Sequence, residues 1–240
     1  MENTSYIALS RQMALQNKMT VVAGNIANMA STGFKAEHVN FDALITDADK
    51  AGDIGFVQDN GRTRDLSPGE LSTTGNPLDI AIDGPGYLSV GTSQGVTYTR
   101  DGHLSLNSLG ELVNADGDPV LDDGGAAIAI PAGSGAITIA ADGTVSTELG
   151  IAGRLQLVNF ADEQDMDRAG HNSFKTTQTA IPVENPQFVQ GNLESSNVNA
   201  ILEMTDMMET LRAFQETQKF IETQHDLTRR SVEQMLDTEA

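Results

Sequence analysis

The chain has 240 residues and a formal net charge of −20, from 34 acidic and 14 basic side chains. This charge argues against nucleic acid or an anionic membrane as a partner, because both would repel it. The length is sufficient for a hydrophobic core in one or two domains. The chain has no cysteine, which excludes disulfides and cysteine-based metal sites.

No stretch approaches about 18 consecutive apolar residues, so the sequence predicts no membrane span. The N-terminus lacks a basic region followed by an apolar core, so we expect no ordinary secretory signal peptide. Taken alone, these features suggest the cytoplasm, although they leave open export by a machine that reads other features.

Residues 1–30 have the pattern of an amphipathic helix with a coiled-coil heptad. Its apolar seam consists of Ala8, Leu15, Val22 and Met29 at intervals of seven, with Gln12, Met19 and Ile26 between them. The helix is predicted to stop at Ser31-Thr32-Gly33, because glycine suits the left-handed residue that closes a helix, and Phe34 supplies the accompanying apolar contact. Gly24 lies inside this helix at a cost of about 1 kcal/mol relative to alanine. Either it is tolerated there or it permits close approach by another helix.

Residues 199–236 predict a second amphipathic helix with two series of positions seven apart. One series is Met204, Leu211, Gln218, His225 and Val232, and the other is Met207, Phe214, Ile221, Thr228 and Met235. The three polar members cluster late in the helix, as in a seam that sets register or meets a different neighbour. Neither helix is expected to be well formed alone, because most helical stability comes from packing an apolar face. The simplest alternative is that both helices pack on the β-core of a monomer.

Between the helices, residues 36–70 are interpreted as an extended connector with strand pieces, and residues 71–190 as a β-rich domain. Alternating or β-favouring runs predict strands, separated by turn residues at spacings typical of a sandwich or barrel-like domain. These runs are 78–82, 87–90, 97–100, 103–106, 126–130, 136–140 and 154–160. Five Asp-Gly pairs occur here, and Asp101-Gly102 predicts a type I′ hairpin between two of the runs. The fold class is therefore mainly β with terminal α-helices.

Two motifs imitate functional sites. Ser93 lies in a G-x-S-x-G sequence, but strand residues follow it where a hydrolase elbow requires a helix, so a hairpin loop is predicted. Asn114, Asp116 and Asp118 resemble the start of a calcium loop, but Pro119 replaces the required glycine and no glutamate follows at the twelfth position, so a turn is predicted. The four histidines have no ligand spacing. We therefore expect no enzyme, cofactor, metal site or small-molecule substrate, with a hydrolase and a calcium-dependent binding module as the alternatives.

Three separated motifs carry a resemblance to a known family. Residues 25–35 read Asn-Ile-Ala-Asn-Met-Ala-Ser-Thr-Gly-Phe-Lys, and residues 191–199 read Gly-Asn-Leu-Glu-Ser-Ser-Asn-Val-Asn, with Arg-Ala-Phe-Gln at 212–215. Between them are Thr-Gly-Asn-Pro-Leu-Asp-Ile-Ala-Ile at 74–82, Tyr-Thr-Arg-Asp-Gly at 98–102 and Asp-Gly-Thr-Val at 142–145. In this order, they resemble the bacterial flagellar rod and hook proteins over nearly the whole chain. Its length and residues 66–71 are most similar to a rod protein of the basal body, with the distal rod protein as the close alternative.

The resemblance implies a structural subunit that polymerises with copies of itself and other rod proteins into the drive shaft of the flagellum. It implies export by the flagellar type III apparatus without a cleaved signal peptide, and a location in the rod that crosses the periplasm. It further implies terminal helices that pair as a coiled coil in an inner tube, residues 1–35 and 191–240, with the β-domain 71–190 outside.

Asn25, Asn28 and Asn197 have two interpretations: side chains that satisfy local backbone groups, or, as the resemblance suggests, bridges between subunits. The predicted assembly interface is Leu15, Met19, Val22, Asn25, Ile26, Asn28, Met29, Gly33, Phe34, Asn197, Val198, Asn199, Met204, Met207, Leu211, Phe214 and Ile221.

Overall fold

The computed structural model describes residues 2–48, 52–170 and 172–238. Helix α1 spans Glu2–Ala27 and helix α2 spans Ala200–Thr238. The first eight strands are β1 Glu37–Ala48, β2 Gly52–Arg64, β3 Leu71–Thr73, β4 Ile80–Ile82, β5 Tyr87–Thr92, β6 Gly95–Thr99, β7 Ser105–Leu106 and β8 Leu112–Val113. The others are β9 Ile137–Ile139, β10 Thr144–Thr147, β11 Gly150–Arg154, β12 Leu157–Asn159, β13 Asp167–Gly170, β14 Ser173–Lys175, β15 Ile181–Pro182, β16 Phe188–Gln190 and β17 Asn192–Glu194. The predicted mainly β fold with a helix at each end is confirmed.

The chain divides into two compact units. The helical unit comprises residues 1–27, 37–65 and 199–240, and the β unit comprises residues 28–36 and 66–198. No helix among the described residues is long and apolar enough to cross a membrane.

The β unit is built on a six-stranded antiparallel sheet in the order β13-β14-β6-β5-β12-β15. A three-stranded sheet β11-β10-β9 and the pairs β16-β4, β17-β3 and β7-β8 complete it. The larger of its two apolar clusters is aliphatic and includes Ile80, Leu88, Leu112 and Val145, none more than 1% exposed. The smaller cluster is aromatic, with Tyr87 edge-on to Phe174 at a centroid distance of 5.9 Å.

In the helical unit, α1 packs against α2 and against the long hairpin formed by β1 and β2. This hairpin occupies most of the segment interpreted as a connector with strand pieces. Lys18 of α1 forms an ion pair of 2.6 Å with Asp206 of α2. Asn25, only 1% exposed, accepts a hydrogen bond from the Glu37 backbone N–H at 3.0 Å and donates to the Glu37 carbonyl at 2.8 Å. This amide therefore ties the end of α1 to the start of β1.

The predicted end of the first helix at Ser31-Thr32-Gly33 is wrong. Helix α1 ends at Ala27, because residues 28–36 belong to the β unit and find hydrogen-bond partners there instead of continuing the helical ladder. Gly33 does adopt the predicted left-handed backbone, with a φ of 64°. Met29 consequently lies beyond the helix and is not a member of a helical seam.

The Asp101-Gly102 hairpin is also wrong. Gly102 lacks a positive φ, and β6 pairs with β5 and β14, not with β7. The Gly102 carbonyl accepts a hydrogen bond from Ile80 N–H, and a Cβ on Gly102 would lie 1.7 Å from the Ile80 carbonyl oxygen. This glycine serves close approach of two backbones, which a local turn pattern does not reveal. The predicted strand 126–130 forms only isolated bridges.

Both imitations of functional sites have the predicted loop structure. Ser93 lies in the two-residue connection of the β5–β6 hairpin, where Thr92 pairs with Gly95. The Asn114 side-chain oxygen accepts hydrogen bonds from the backbone N–H groups of Asp116 and Asp118 at 3.0 and 2.9 Å. Asn114 therefore closes a turn with the oxygen that a calcium loop would offer to the ion.

Candidate functional site

Two short segments connect the β unit to the terminal helices. We call residues 28–36 the N-terminal root and residues 191–198 the C-terminal root. They are hydrogen-bonded to each other: Gly33 N–H donates to the Glu194 carbonyl at 2.7 Å, and Asn197 N–H to the Phe34 carbonyl at 3.3 Å. The Asn197 side-chain oxygen also accepts from Ala36 N–H at 2.7 Å. Two segments far apart in sequence thus form one element of the β unit.

A buried cluster of charges fastens these roots, and we call Lys35, Arg100 and Glu194 the charge cluster. Lys35 Nζ lies 2.6 Å from Glu194 Oε1, and Arg100 Nη2 lies 2.8 Å from Glu194 Oε2. The Lys35 and Glu194 side chains are 2% and 1% exposed, and that of Arg100 is 6% exposed. Ions removed from water to this degree are stable only when paired and hydrogen-bonded.

Backbone groups make further hydrogen bonds with the cluster. Lys35 Nζ donates to the Ser67 carbonyl at 2.7 Å, and Gly69 N–H donates to Glu194 Oε1 at 2.9 Å. Arg100 donates to the carbonyls of Gly86 and Gly84 at 2.8 and 3.0 Å. The cluster therefore holds both roots to the segments around residues 67–69, 84–86 and 100.

The electrostatics of Glu194 result from opposing effects. Burial alone would raise the pKa of its carboxyl group, but the Arg100 guanidinium, the hydrogen bond from Lys35 and the Gly69 N–H outweigh burial and hold the pKa below its usual value of 4.5. The carboxylate is therefore charged at neutral pH, as its two cationic partners require.

Phe34 is anchored beside this cluster. Its side chain is 2% exposed, and the Arg168 guanidinium lies 4.6 Å from the centre of its ring, within cation–π distance. A Cβ on Gly33 would lie 2.6 Å from the Arg100 carbonyl oxygen, so only glycine fits there. Phe34 and Gly33 are both buried against the β unit of their own chain.

The most buried row of described side chains on α2 is polar. It consists of Glu203, Thr210 and Thr217, which are seven residues apart and at most 9% exposed. The predicted members Met207, Phe214 and Ile221 lie beside this row and are partly buried. The buried row is therefore offset by one residue from the apolar series that begins at Met204 and Leu211.

Apolar side chains remain exposed on both helices. On α2 they are Ile201, Leu202, Met204, Met208, Leu211, Phe220 and Leu227, and on α1 Tyr6, Leu9 and Met13. All are at least 43% exposed, and Ile201 reaches 76%. A cleft of about 320 Å³ between the helices is lined by Ile7, Ala8, Arg11, Glu216, Thr217 and Phe220. Ile201, Met204, Met208 and Leu211 follow one another at intervals of three or four residues and so lie on one face of α2. An exposed apolar stripe of this kind is typical of a site that binds another protein.

The asparagines of the predicted interface have partners inside the chain. Asn25 binds the Glu37 backbone, and Asn199 caps α2 by accepting hydrogen bonds from Ile201 and Leu202 N–H at 3.1 and 3.3 Å. Asn28 accepts a bond from the Ser31 hydroxyl at 3.1 Å. Bridging between subunits by Asn25, Asn28 or Asn197 stays a prediction.

All the predicted interface residues, asparagines included, fall into three classes of exposure. Val22, Asn25, Gly33 and Phe34 are buried. Leu15, Met19, Ile26, Asn28, Asn197, Val198, Met207, Phe214 and Ile221 are partly buried, and Met29, Asn199, Met204 and Leu211 are exposed. Contact of these residues with a neighbouring subunit stays a prediction.

Lys35, Arg100 and Glu194 were not among the predicted site residues, although each lies in a family motif. The sequence signal for a buried charge was a single charged residue next to apolar or small residues, in Gly33-Phe34-Lys35 and Asn192-Leu193-Glu194. Their convergence depends on the tertiary fold, because they are separated by about 65 to 160 residues in sequence.

Three family models match the chain. Residues 6–35 match "Flagella basal body rod protein", residues 81–147 match "Flagellar hook protein FlgE/F/G D1 domain", and residues 189–237 match "Flagellar basal body rod FlgEFG protein C-terminal". The first covers the N-terminal root up to residue 35, and the third covers the whole C-terminal root.

Curated relatives agree over the full length. The flagellar basal-body rod protein FlgF of Caulobacter vibrioides is 39% identical over 98% of both chains. FlgF of Mesorhizobium japonicum is 36% identical over 90% of this chain and 91% of its own, and FlgG of Bacillus subtilis is 31% identical over 92% and 95%. The chain therefore belongs to the flagellar basal-body rod proteins. The resemblance predicted from the motifs, including the greater similarity to FlgF, is confirmed.

Proposed function

We propose that the chain is a structural subunit of the flagellar basal-body rod, of the FlgF type, which polymerises through its terminal helices and supports motility. The observation that carries this proposal is the arrangement of side chains on α2. Its apolar residues Met204 and Leu211 are 47% and 44% exposed, whereas its buried row is polar. Burying such apolar side chains stabilises association by about 25 cal/mol per Å² removed from water. Contacts with neighbouring rod subunits would cover this face.

We infer that the terminal segments and the middle of the chain occupy different parts of the rod. Residues 1–35 and 191–240 would form the inner tube, where the helices pair as coiled coils with one another and with those of neighbours, and residues 71–190 would lie outside. The packing of α1 on α2 within the chain supports this inference. The proposed partners are other rod proteins and copies of the chain itself. A distal-rod role of the FlgG type is the alternative, supported by FlgG relatives at lower identity than the first FlgF relatives.

We further propose export through the flagellar type III apparatus, without a cleaved signal peptide, to the rod that crosses the periplasm. Weakly packed terminal helices suit this route, because they order fully only when binding buries their exposed faces. We infer no catalytic role, since Ser93 belongs to a hairpin connection and Asn114 uses its side chain in a turn.

The proposal is tested by mass spectrometry of hook–basal bodies purified from the source bacterium, with heavy-labelled peptides of this chain as standards. We expect the chain at a few copies per structure. Tens of copies would instead support the distal-rod alternative. Absence from intact basal bodies that contain the other rod proteins would overturn the proposed function.

A further inference from the structure

The two roots meet at the point where the chain leaves the β unit toward its terminal helices. The N-terminal root follows α1 directly, and the C-terminal root directly precedes α2. Three hydrogen bonds outside the charge cluster join the roots, and the charge cluster joins them again and fastens both to the body of the β unit. The starting points for helix pairing are therefore fixed by contacts that involve no residue of either helix.

We propose that the charge cluster is a conformational clasp: it keeps the two roots together when α1 and α2 come apart, and so promotes their re-pairing. This inference goes beyond the proposed function, because it concerns the free chain and does not depend on membership of a rod.

The chemistry of the cluster suits a clasp that stays closed while the helices open. Glu194 contacts Lys35, Arg100 and Gly69 N–H together, and separation from either cation would leave that cation buried without its counter-charge. The ion pair between the helices, Lys18–Asp206, has side chains that are 35% and 38% exposed, and such pairs contribute little to stability. The clasp is therefore the stronger of these two ionic connections, and the helices depend on packing to stay paired.

Loop closure gives the size of the effect. Along the chain, about 170 residues separate the end of α1 from the start of α2. The hydrogen bond between Gly33 and Glu194 provides a shorter path of about a dozen residues, from the end of α1 to Gly33 and from Glu194 to the start of α2. The entropic cost of closing a loop grows as (3/2)RT ln n, so this shortening favours pairing by up to about fiftyfold. Other contacts of the β unit retain part of this benefit when the clasp is broken.

The test is hydrogen exchange of the full chain, followed by mass spectrometry of peptides from α1, α2 and the β5–β6 hairpin. Lys35→Met removes one cation and leaves the Glu194–Arg100 pair neutral overall. We expect exchange in both helices to accelerate by at least about fivefold, while β5 and β6 stay protected. Val145→Ala is the control, because it weakens the aliphatic core of the β unit without touching the cluster, and it should change helix exchange less than about twofold.

Two results would overturn the clasp. One is unchanged helix exchange in Lys35→Met with the strands protected, and the other is an equal acceleration in Val145→Ala. If Lys35→Met also exposes the strands, Asn197→Ala decides by the same criteria, since it removes the Ala36 contact between the roots without unbalancing a charge. This experiment does not measure incorporation into rods. A negative result would therefore refute the clasp without refuting the proposed function.

Discussion

Glu194 connects the two terminal motifs of the chain, residues 25–35 and 191–199, in the folded structure. Its carboxylate contacts two cations and a backbone N–H, and its backbone carbonyl accepts a hydrogen bond from Gly33. A residue with this many partners at 1% exposure has no conservative replacement. Its amide analogue is the sharpest probe, because it keeps the shape and removes the charge.

We expect Glu194→Gln to lower the free energy of unfolding of the β unit by about 3–5 kcal/mol, because it leaves Lys35 and Arg100 buried without a counter-charge. Urea unfolding followed by circular dichroism measures the change. Glu184→Gln makes the same chemical change at an exposed carboxylate and should stay within about 0.5 kcal/mol of the wild type. Equal effects of the two substitutions would contradict the role of the cluster.

The same carboxyl group predicts a dependence of stability on pH. Because the folded state lowers the pKa of Glu194, its contribution is fully present above the ordinary value of 4.5 and is lost as the pH falls through the lower, folded-state pKa. Asp101 acts in the opposite direction, since burial raises its pKa and its contribution is lost as the pH rises through that raised value.

We therefore expect the difference in unfolding free energy between wild type and Glu194→Gln to be largest at neutral pH and to shrink steadily below about pH 4.5. Urea titrations of both proteins between pH 7 and pH 3 measure it. A difference that stays constant over this range would show that the charge of Glu194 is not the source of the stabilisation.

At the scale of elements, α2 shows what an apolar heptad pattern can predict and what it cannot. The heptad pattern correctly predicts a long helix, in which Met207, Phe214 and Ile221 are partly buried and Met204 and Leu211 are exposed. It misses the buried row at Glu203 and its successors, because polar residues carry no weight in such a pattern. Periodicity identifies a face that is suited to burial, but it does not identify the surface that covers that face.

Leu211→Glu separates folding from assembly. Because Leu211 is 44% exposed, the free chain should keep its circular dichroism spectrum and lose less than about 1 kcal/mol of stability. In a strain lacking the wild-type gene, we expect loss of incorporation into rods and of swimming in soft agar. Ser93→Glu adds the same charge at an exposed polar position in the β5–β6 connection, outside this helix face, and should swim normally. Normal incorporation of Leu211→Glu would refute this face as an assembly surface.

Gly24 allows a similar separation in α1. A Cβ at this position would meet no atom within 4 Å in the free chain. We therefore expect Gly24→Ala to stabilise the helical unit by about 1 kcal/mol in thermal unfolding followed at 222 nm. A loss of stability would contradict the structure around Gly24. Motility of the variant then distinguishes the two interpretations, since only close approach by a neighbouring helix would make the extra methyl group harmful.

At the scale of the whole molecule, the sequence predicts kinds of element better than their connections. Period-seven and alternating patterns correctly give terminal helices and a β-rich middle, because these patterns depend on neighbours along the chain. Asp101-Gly102 was misread as a turn because the close approach of Gly102 to Ile80 is a tertiary contact. The cluster of Lys35, Arg100 and Glu194 was missed for the same reason, since nothing local links three charges so far apart in sequence.

The two units should differ in resistance to protease. We expect brief trypsin treatment of the free chain to cut first at Arg11 of α1 and at Arg212 and Lys219 of α2, because the packing of these helices leaves these side chains exposed. Cleavage at Arg100, 6% exposed in the β unit, should come last. Mass spectrometry of timed samples gives the order. Early cleavage at Arg100 while the helices stay intact would contradict the expected order of protease resistance. Protection of the same helix sites in purified basal bodies would support burial of the helices by assembly.

The joined roots also have a mechanical consequence. Tension applied to the two ends of the chain enters the β unit at residues 28–36 and 191–198, where hydrogen bonds and ion pairs connect one root directly to the other. The force therefore passes across these bonds and not along the intervening polypeptide. The six-stranded sheet lies outside this direct connection, so most of the load would bypass it until the roots separate. A subunit of this design can transmit strain between its ends while its largest sheet stays relaxed.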